Sequence, residues 1–356
     1  MADTAVIVEN TGEQFTCPAD TVILDAALAA GLHMPHNCRG GACGTCKSKI
    51  IEGQVDHGWV MSFAITDEEK EQGYFLACQS KPLSPMLRLR TVEPMQPRVA
   101  GEDLIVPTEL TAQIVAAHNV TPSIRRLVVA LPRGVRFHFR AGMNMEFAAP
   151  GLDQRRPYSI ANAPDAEGSA PDGQLVFYVT RHDKGRCSGW IHGLAIDDTI
   201  ELHGPYGEFH LPASAASGRV LALAGGSGLS PILSVLTKAL GDGHAGTIDL
   251  LFSVRDRSEI FAADQLAALS RRYGNFAYRI TLTRAAPGSD RCLRGRVPDV
   301  LAREAPDLSG ATVLIAGAPS FVDDCVAAAK RIGADPSRIV VDSFLPRPPA
   351  VSAPNV

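Results

Sequence analysis

Four cysteines constrain this chain more than any other feature. Three lie in the run Asn37-Cys38-Arg39-Gly40-Gly41-Ala42-Cys43-Gly44-Thr45-Cys46, and the fourth, Cys78, follows after an interval of 31 residues. C-x4-C-x2-C with a distant fourth cysteine is a spacing that holds a two-iron two-sulfur cluster. Three thiolates have to converge on one small body, so the loop has to wrap tightly. Gly40, Gly41 and Gly44 open backbone angles that other residues avoid and let N–H groups turn toward the sulfurs. Those dipoles offset the negative charge of an iron–thiolate site. Four buried cysteines, or two disulfides, would leave the interleaved glycines without a purpose. A zinc site would normally show two closely spaced cysteine pairs, and only Cys43 and Cys46 form one.

The length of 356 residues implies two or three domains. With 46% apolar and 20% charged residues, the composition is that of an ordinary soluble globular protein. No stretch approaches the 18 or so apolar residues of a membrane span, and with no basic n-region or apolar h-region in Met-Ala-Asp-Thr-Ala-Val, no signal peptide is expected. Cys17, Cys187, Cys292 and Cys325 are too dispersed for a small secreted disulfide framework, so a reducing cytoplasm is expected. The net charge of −4 is uneven. Residues 1–93 hold 12 acidic and 7 basic side chains, and the remainder 26 and 27. Without a basic stripe, a nucleic-acid partner is not expected. The acidic first part suits either a basic patch on a protein partner or a merely solvated surface. Part of the acidity is local, since Thr66-Asp67-Glu68-Glu69 reads as a capping box opening a short helix.

Strands are expected at 4–10 and 13–17, a helix over 22–30 closed by Gly31, then the cysteine loop, a strand at Lys47–Glu52 and an apolar run at 74–79. Pro94, Pro97, Gly101 and Pro107 give 94–107 the composition of a linker. Strands alternating with turn signals follow at Leu110–Ala116, Leu127–Leu131, Met143–Ala148, Gln174–Thr180 and Asp198–His203, as in a small antiparallel barrel. From Arg219 the period changes to short apolar strands alternating with helices, which predicts a doubly wound parallel sheet. The expected divisions are 1–93, the linker 94–107, 108–213, 214–345 and a proline-rich tail at 346–356. The fold class is therefore multidomain, α+β and α/β.

Two further segments carry chemistry. Arg155-Arg156-Pro157-Tyr158-Ser159 lies in the barrel region, and Gly225-Gly226-Ser227-Gly228-Leu229-Ser230-Pro231 follows a strand and opens a helix. Glycines in such a turn let the backbone approach a pyrophosphate, whose charge the helix N-terminus favours. The first segment resembles the Arg-x-Tyr-Ser flavin signature of the ferredoxin reductase family. The second resembles that family's G-G-[ST]-G-x-[AST]-P turn, and residues 1–92 resemble the β-grasp of plant-type ferredoxins.

The resemblance implies roles for particular residues. Arg156 would pair with the FAD pyrophosphate, Pro157 would stiffen the turn, Tyr158 would offer its ring to the isoalloxazine and Ser159 would bond flavin N5. Gly185-Arg186-Cys187-Ser188 resembles the family's Gly-x-x-Ser phosphate turn, which makes Gly185, Cys187 and Ser188 candidates. Ala316-Gly317-Ala318-Pro319 resembles Cys-Gly-x-Pro beside the nicotinamide, with Ala316 in place of the cysteine and with Gly317 and Pro319 retained. Phe344 resembles the aromatic that covers the flavin, although a core role is equally open. In Ser253-Val254-Arg255-Asp256-Arg257, an acid favours NADH and arginines tolerate NADPH. The family's NADH-users carry Gly-x-Arg here, so Arg255 and NADH are expected, with NADPH as the alternative.

The whole chain resembles reductase components of bacterial multicomponent oxygenases, such as the benzoate and terephthalate dioxygenase and xylene monooxygenase reductases. This implies electron flow from NADH to FAD, to the 2Fe-2S cluster, to a terminal oxygenase of aromatic catabolism. Same-architecture reductases also serve deoxysugar dehydration. A redox sensor would need no flavin and nucleotide sites together.

Overall fold

The computed structural model describes residues 3–41, 43–62, 64–93, 95, 105–152, 155–284 and 292–344. The expected tail, and most of the expected linker, lie outside them. The chain divides into two compact units. The first holds the described residues to Thr108 together with Gly204–Glu208, and the second holds Glu109–His203 and Phe209–Phe344.

The first unit contains β1 (Thr4–Val8), β2 (Gln14–Cys17), α1 (Ile23–Ala29), β3 (Lys47–Glu52), β4 (Val55–Asp56), α2 (Asp67–Glu71), β5 (Tyr74–Leu76), β6 (Lys81–Pro82) and β7 (Met86–Thr91). Its main sheet has the order β2-β1-β7-β3-β5, with β1 parallel to β7 and the other pairs antiparallel. This is the expected β-grasp. Thr4, Val6 and Val8 alternate inward along β1, while Ile23, Leu24, Ala26, Ala27 and Leu28 bury one side of α1 in the same core. The predicted capping box forms: Thr66 Oγ1 accepts from Glu69 N–H at 3.2 Å, and Glu69 Oε2 accepts from Thr66 N–H at 3.0 Å.

The second unit opens with β8 (Thr108–Asn119), β9 (Ile124–Ala130), β10 (Asn144–Ala148), β11 (Arg156–Ser159), β12 (Gln174–Thr180), α3 (Arg186–Gly193) and β13 (Thr199–Tyr206). The sheet order is β11-β10-β13-β8-β9-β12. Its two edges meet where Ala161 N–H donates to Val176 O at 2.8 Å, which nearly closes an antiparallel barrel. Phe147 is fully buried inside it, edge-on to both Tyr158 and Phe177 at 4.9 Å. These contacts hold Tyr158 against the barrel core.

The same unit continues through β14 (Val220–Gly225), α4 (Leu229–Gly241), β15 (Ile248–Val254), α5 (Ala263–Arg272), β16 (Phe276–Leu282), β17 (Leu293–Arg294), α6 (Val297–Glu304), β18 (Thr312–Gly317), α7 (Pro319–Arg331) and β19 (Ile339–Ser343). The order β17-β16-β15-β14-β18-β19, parallel throughout, is doubly wound. Every residue of β18 is buried, which is why its sequence runs apolar without alternation after Thr312. The helix that the glycine turn opens begins at Leu229, because a single tight turn over Gly226–Gly228 runs directly into it. Helix α6 was not expected. Its Pro298 occupies the first turn, where a missing N–H is harmless, and Val297, Val300 and Leu301 form the buried stripe. Among the described residues no helix is long and apolar enough to cross a membrane.

Phe147→Ala is expected to cost about 3–5 kcal/mol of barrel stability through the cavity it leaves. Hydrogen exchange of the β10 and β12 amides measures this directly. Unchanged protection there would show that the aromatic trio does not hold the barrel.

Candidate redox cofactor sites

The cysteine loop crosses from α1 to β3 in the first unit. Arg39, Gly41 and Gly44 have φ of 49°, 71° and 77°, the angles at which the chain doubles back on itself. Glycine is required at 41, since a Cβ there would lie 2.7 Å from Trp59 O. The four thiols arrive as two hydrogen-bonded pairs, Cys38 with Cys43 and Cys46 with Cys78. Cys46 and Cys78 are buried, and Cys38 and Cys43 partly so. Among the described residues no three His, Cys, Asp or Glu side chains gather as one ion would require. Two thiol pairs suit a body with two metals, each taking two thiolates, better than a single zinc.

Backbone N–H groups are aimed at these sulfurs. Gly40 and Cys43 donate to Cys38 Sγ at 3.4 and 3.3 Å, and Gly41 donates to Cys78. The bond to Cys38 and burial push the Cys43 thiol up. The bond from Cys46 and the Gly41 N–H favour the thiolate of Cys78. The Arg39 side chain is also fixed, bonding Asp25 Oδ1 at 2.7 Å and lying 3.4 Å from the Tyr206 ring centroid.

In the second unit, β11 carries the Arg-Pro-Tyr-Ser segment antiparallel to β10, with Phe147 opposite Arg156 and Met145 opposite Tyr158. Strand alternation puts Arg156 and Tyr158 on one face, Pro157 and Ser159 on the other. The Tyr158 hydroxyl bonds the Cys187 thiol, and burial pushes both groups up so that both stay protonated. Cys187 therefore holds Tyr158 in place. Gly185 is the N-cap of α3, and a Cβ on it would lie 2.4 Å from Ser188 Oγ. Ser188 Oγ accepts from His182 N–H at 3.2 Å and donates to Gly185 O at 3.2 Å. Its hydroxyl thus closes the turn, and the groups suited to a phosphate are the first backbone N–H groups of α3. The segment fits a flavin with its phosphates, with a cation on the same strand face as the aromatic ring.

The two nucleotide segments lie back to back at the C-terminal ends of β14 and β18, beside the point where strand order reverses. A Cβ on Gly228 would lie 2.1 Å from Ala316 O. Gly225 and Gly317 both pack on Phe321, which would lie 2.9 and 3.0 Å from their added Cβ atoms. Phe344 N–H donates to Gly317 O at 2.9 Å, so Phe344 sits beside this loop and is partly exposed rather than core. Pro319 opens α7 directly after it. Crevices at such reversals are where open parallel sheets bind nucleotides.

Two features escaped the motif reading. Ser159 Oγ donates to Asp342 Oδ2 at 3.4 Å, joining the flavin strand to the end of β19. Asp342 is buried, and no spacing rule links positions so far apart. The hydroxyls of Thr121 and Ser123 donate to Glu259 Oε2 at 2.9 and 2.5 Å, which anchors the corner carrying the exposed Arg255, Asp256 and Arg257.

Family models agree with this division of labour. A 2Fe-2S iron-sulfur cluster binding domain matches residues 6–83, an oxidoreductase FAD-binding domain 111–211 and an oxidoreductase NAD-binding domain 222–327. The reductase subunit of an aromatic O-demethylase from Amycolatopsis sp. is 30% identical over 340 residues, covering 94% of this chain and 97% of the relative. The ferredoxin–NAD(+) reductase component of the alkene monooxygenase system of Xanthobacter autotrophicus is 32% identical over 344 residues, covering 94% and 99%. The chain belongs to the reductase components of multicomponent oxygenases. The crystal structure of an Amycolatopsis cytochrome P450 reductase superposes on this reductase with a TM-score of 0.87 at 29% identity, covering 97% of this chain and 100% of the other. The reductase of Pseudomonas phenol 2-monooxygenase is 34% identical over 282 residues, 79% of this chain and 76% of its own. The reductase thus has 2Fe-2S, FAD and NAD domains, in that order.

Gly228→Ala forces the nucleotide turn away from Ala316 O, at a cost of about 1–3 kcal/mol. The KM for NADH is expected to rise roughly tenfold, the change that ~1.4 kcal/mol of lost binding produces. FAD content should stay at the parent level. An unchanged KM would separate this close approach from nucleotide binding.

Proposed function

We propose that this reductase takes electrons from NADH, in preference to NADPH, and delivers them singly to the oxygenase component of a system acting on an aromatic compound. The observation that carries the reading is the presence of three redox-cofactor domains in one chain, aligned over nearly the full length of reductases from oxygenase systems. The O-demethylase and phenol 2-monooxygenase relatives support an aromatic substrate for the partner. The alkene monooxygenase relative favours, as a second reading, a monooxygenase of non-aromatic substrates.

Bound FAD supplies two-electron acceptance from hydride with one-electron release, and the cluster supplies one-electron carriage. The chain's own residues bind and orient. Arg156 holds pyrophosphate through its planar fork, with the N–H groups at the start of α3 taking the remaining phosphate charge. Cys187 and Phe147 fix the Tyr158 ring against the isoalloxazine. Ser159, whose hydroxyl donates to the Asp342 carboxylate, would keep an oxygen lone pair to accept from a protonated flavin N5. The Gly225–Gly228 turn takes the nicotinamide nucleotide's pyrophosphate, and Gly317, Pro319 and Phe344 shape the place of its ring. Cys38, Cys43, Cys46 and Cys78 ligate the irons. Asp256 would disfavour a 2′-phosphate, and Arg255 would hold the ribose side of the nucleotide.

Cys43→Ser is expected to abolish the visible iron–sulfur absorption while FAD and NADH-dependent ferricyanide reduction persist. Cytochrome c reduction should collapse, because one-electron exit runs through the cluster. Survival of cytochrome c reduction without the cluster would overturn that order. For coenzyme choice, kcat/KM is expected to favour NADH, and Asp256→Ala should narrow the gap. A tenfold or greater preference of the unmutated protein for NADPH would reverse the assignment, making Arg255 and Arg257 the phosphate ligands.

A further inference from the structure

One side chain outside the four cysteines touches both parts of the cluster site. Gln79 Nε2 lies 3.0 Å from Arg39 O, 2.8 Å from Cys78 O and 3.9 Å from Cys78 Sγ. Arg39 belongs to the Cys38–Cys43 interval, whereas Cys78 comes from the far end of the domain's sequence. The amide orientation is dictated by its surroundings: two carbonyl oxygens face it, so an NH2 fits and an amide oxygen would be repelled. Its stem is confined as well. A Cβ on Gly41 would lie 3.0 Å from Gln79 Cγ and one on Gly58 3.6 Å from Gln79 Cβ, while the backbone below is held where Gln79 N–H donates to Leu76 O at 3.0 Å. A long, rotamer-rich side chain is thereby held in one place.

We propose that Gln79 is a positioning residue for the iron–sulfur cluster, tying the Cys38–Cys43 loop to Cys78 and setting an N–H dipole at the Cys78 sulfur. An amide nitrogen has two hydrogens. One bridges to the Arg39 carbonyl, and the other is directed to the Cys78 side, between its carbonyl and its sulfur. Gly41 N–H already reaches that sulfur, so Cys78 receives donors from backbone and side chain together. Reduction adds negative charge to the cluster and its thiolates. A donor at sulfur stabilises the reduced state more than the oxidised one, which raises the potential. The inference rests on the four-cysteine cluster, and iron and sulfide analysis of the unmutated protein tests that assignment separately.

The test uses the full chain with Gln79→Leu, which keeps bulk and removes both donors, and Gln79→Glu, which keeps shape and replaces the donor with a carboxylate. Each is titrated electrochemically with the reduced cluster followed by EPR. Both variants are expected to retain the cluster absorption and to titrate at a lower potential than the parent, the Glu variant lowest. Iron-replete variants with the parent's potential would overturn the proposal, because a purely structural filler would leave it unmoved. A second readout needs no variant. Unmutated protein labelled with 15N in its glutamine side-chain amides is expected to show a weak 15N coupling to the reduced cluster in pulsed EPR, and absence of that coupling would likewise overturn it.

Discussion

In each of the three candidate sites a glycine lies where an added Cβ would strike the chain itself. At the cluster loop, Gly41 passes so close to Trp59 O that only a bare Cα fits, and its N–H then reaches Cys78. At the flavin phosphate turn, Gly185 is pressed against Ser188 Oγ and opens the N-terminus of α3. In the nucleotide turn, Gly228 lies against the Ala316 carbonyl at the mouth of α4. Thiolate and pyrophosphate are different chemistries with one common need. Unpaired peptide N–H dipoles must face them at short range, and water cannot do so in a closed site. The glycines were therefore the most informative residues after the cysteines.

This explains why so much of the fold and the sites was legible in the sequence. Local devices leave local signatures: the capping box of α2, Gly31 after α1, and the apolar run of β18 after Thr312, buried on both faces. Cys38, Cys43 and Cys46 occupy one short loop, so spacing alone restricts what they hold. The long-range partners left no such trace. Asp342 reaches Ser159 across 183 residues, and Glu259 reaches Thr121 across 138. Phe321 packs on two glycines from different strands. Each of these contacts depends on how the parallel sheet winds and on which barrel edge it meets, not on any periodicity. Helix α6 was hidden for a different reason, since a proline in its first turn reads as a breaker unless the apolar stripe after it is counted.

Position 316 shows how a departure from a family pattern is absorbed. The carbonyl of Ala316 meets Gly228 because that glycine has no Cβ, and the Ala316 methyl is fully buried in the core. Hydride transfer requires no side-chain acid or thiol there, only that the ring be held at the right distance and angle. Beside that strand end lie the backbone of Gly317, Pro319 at the start of α7 and Phe344, whose N–H is tied to Gly317 O. A carboxylate that meets the Arg-Pro-Tyr-Ser strand comes from β19. Asp342 is aligned with Ala316 in the sheet register and bonded to Ser159. The end of β19 therefore meets both segments, Gly317 through the Phe344 N–H and Ser159 through the Asp342 carboxylate. A substitution that shifts β19 should disturb both sites together, whereas a change confined to the thiol-for-methyl exchange at 316 should disturb neither.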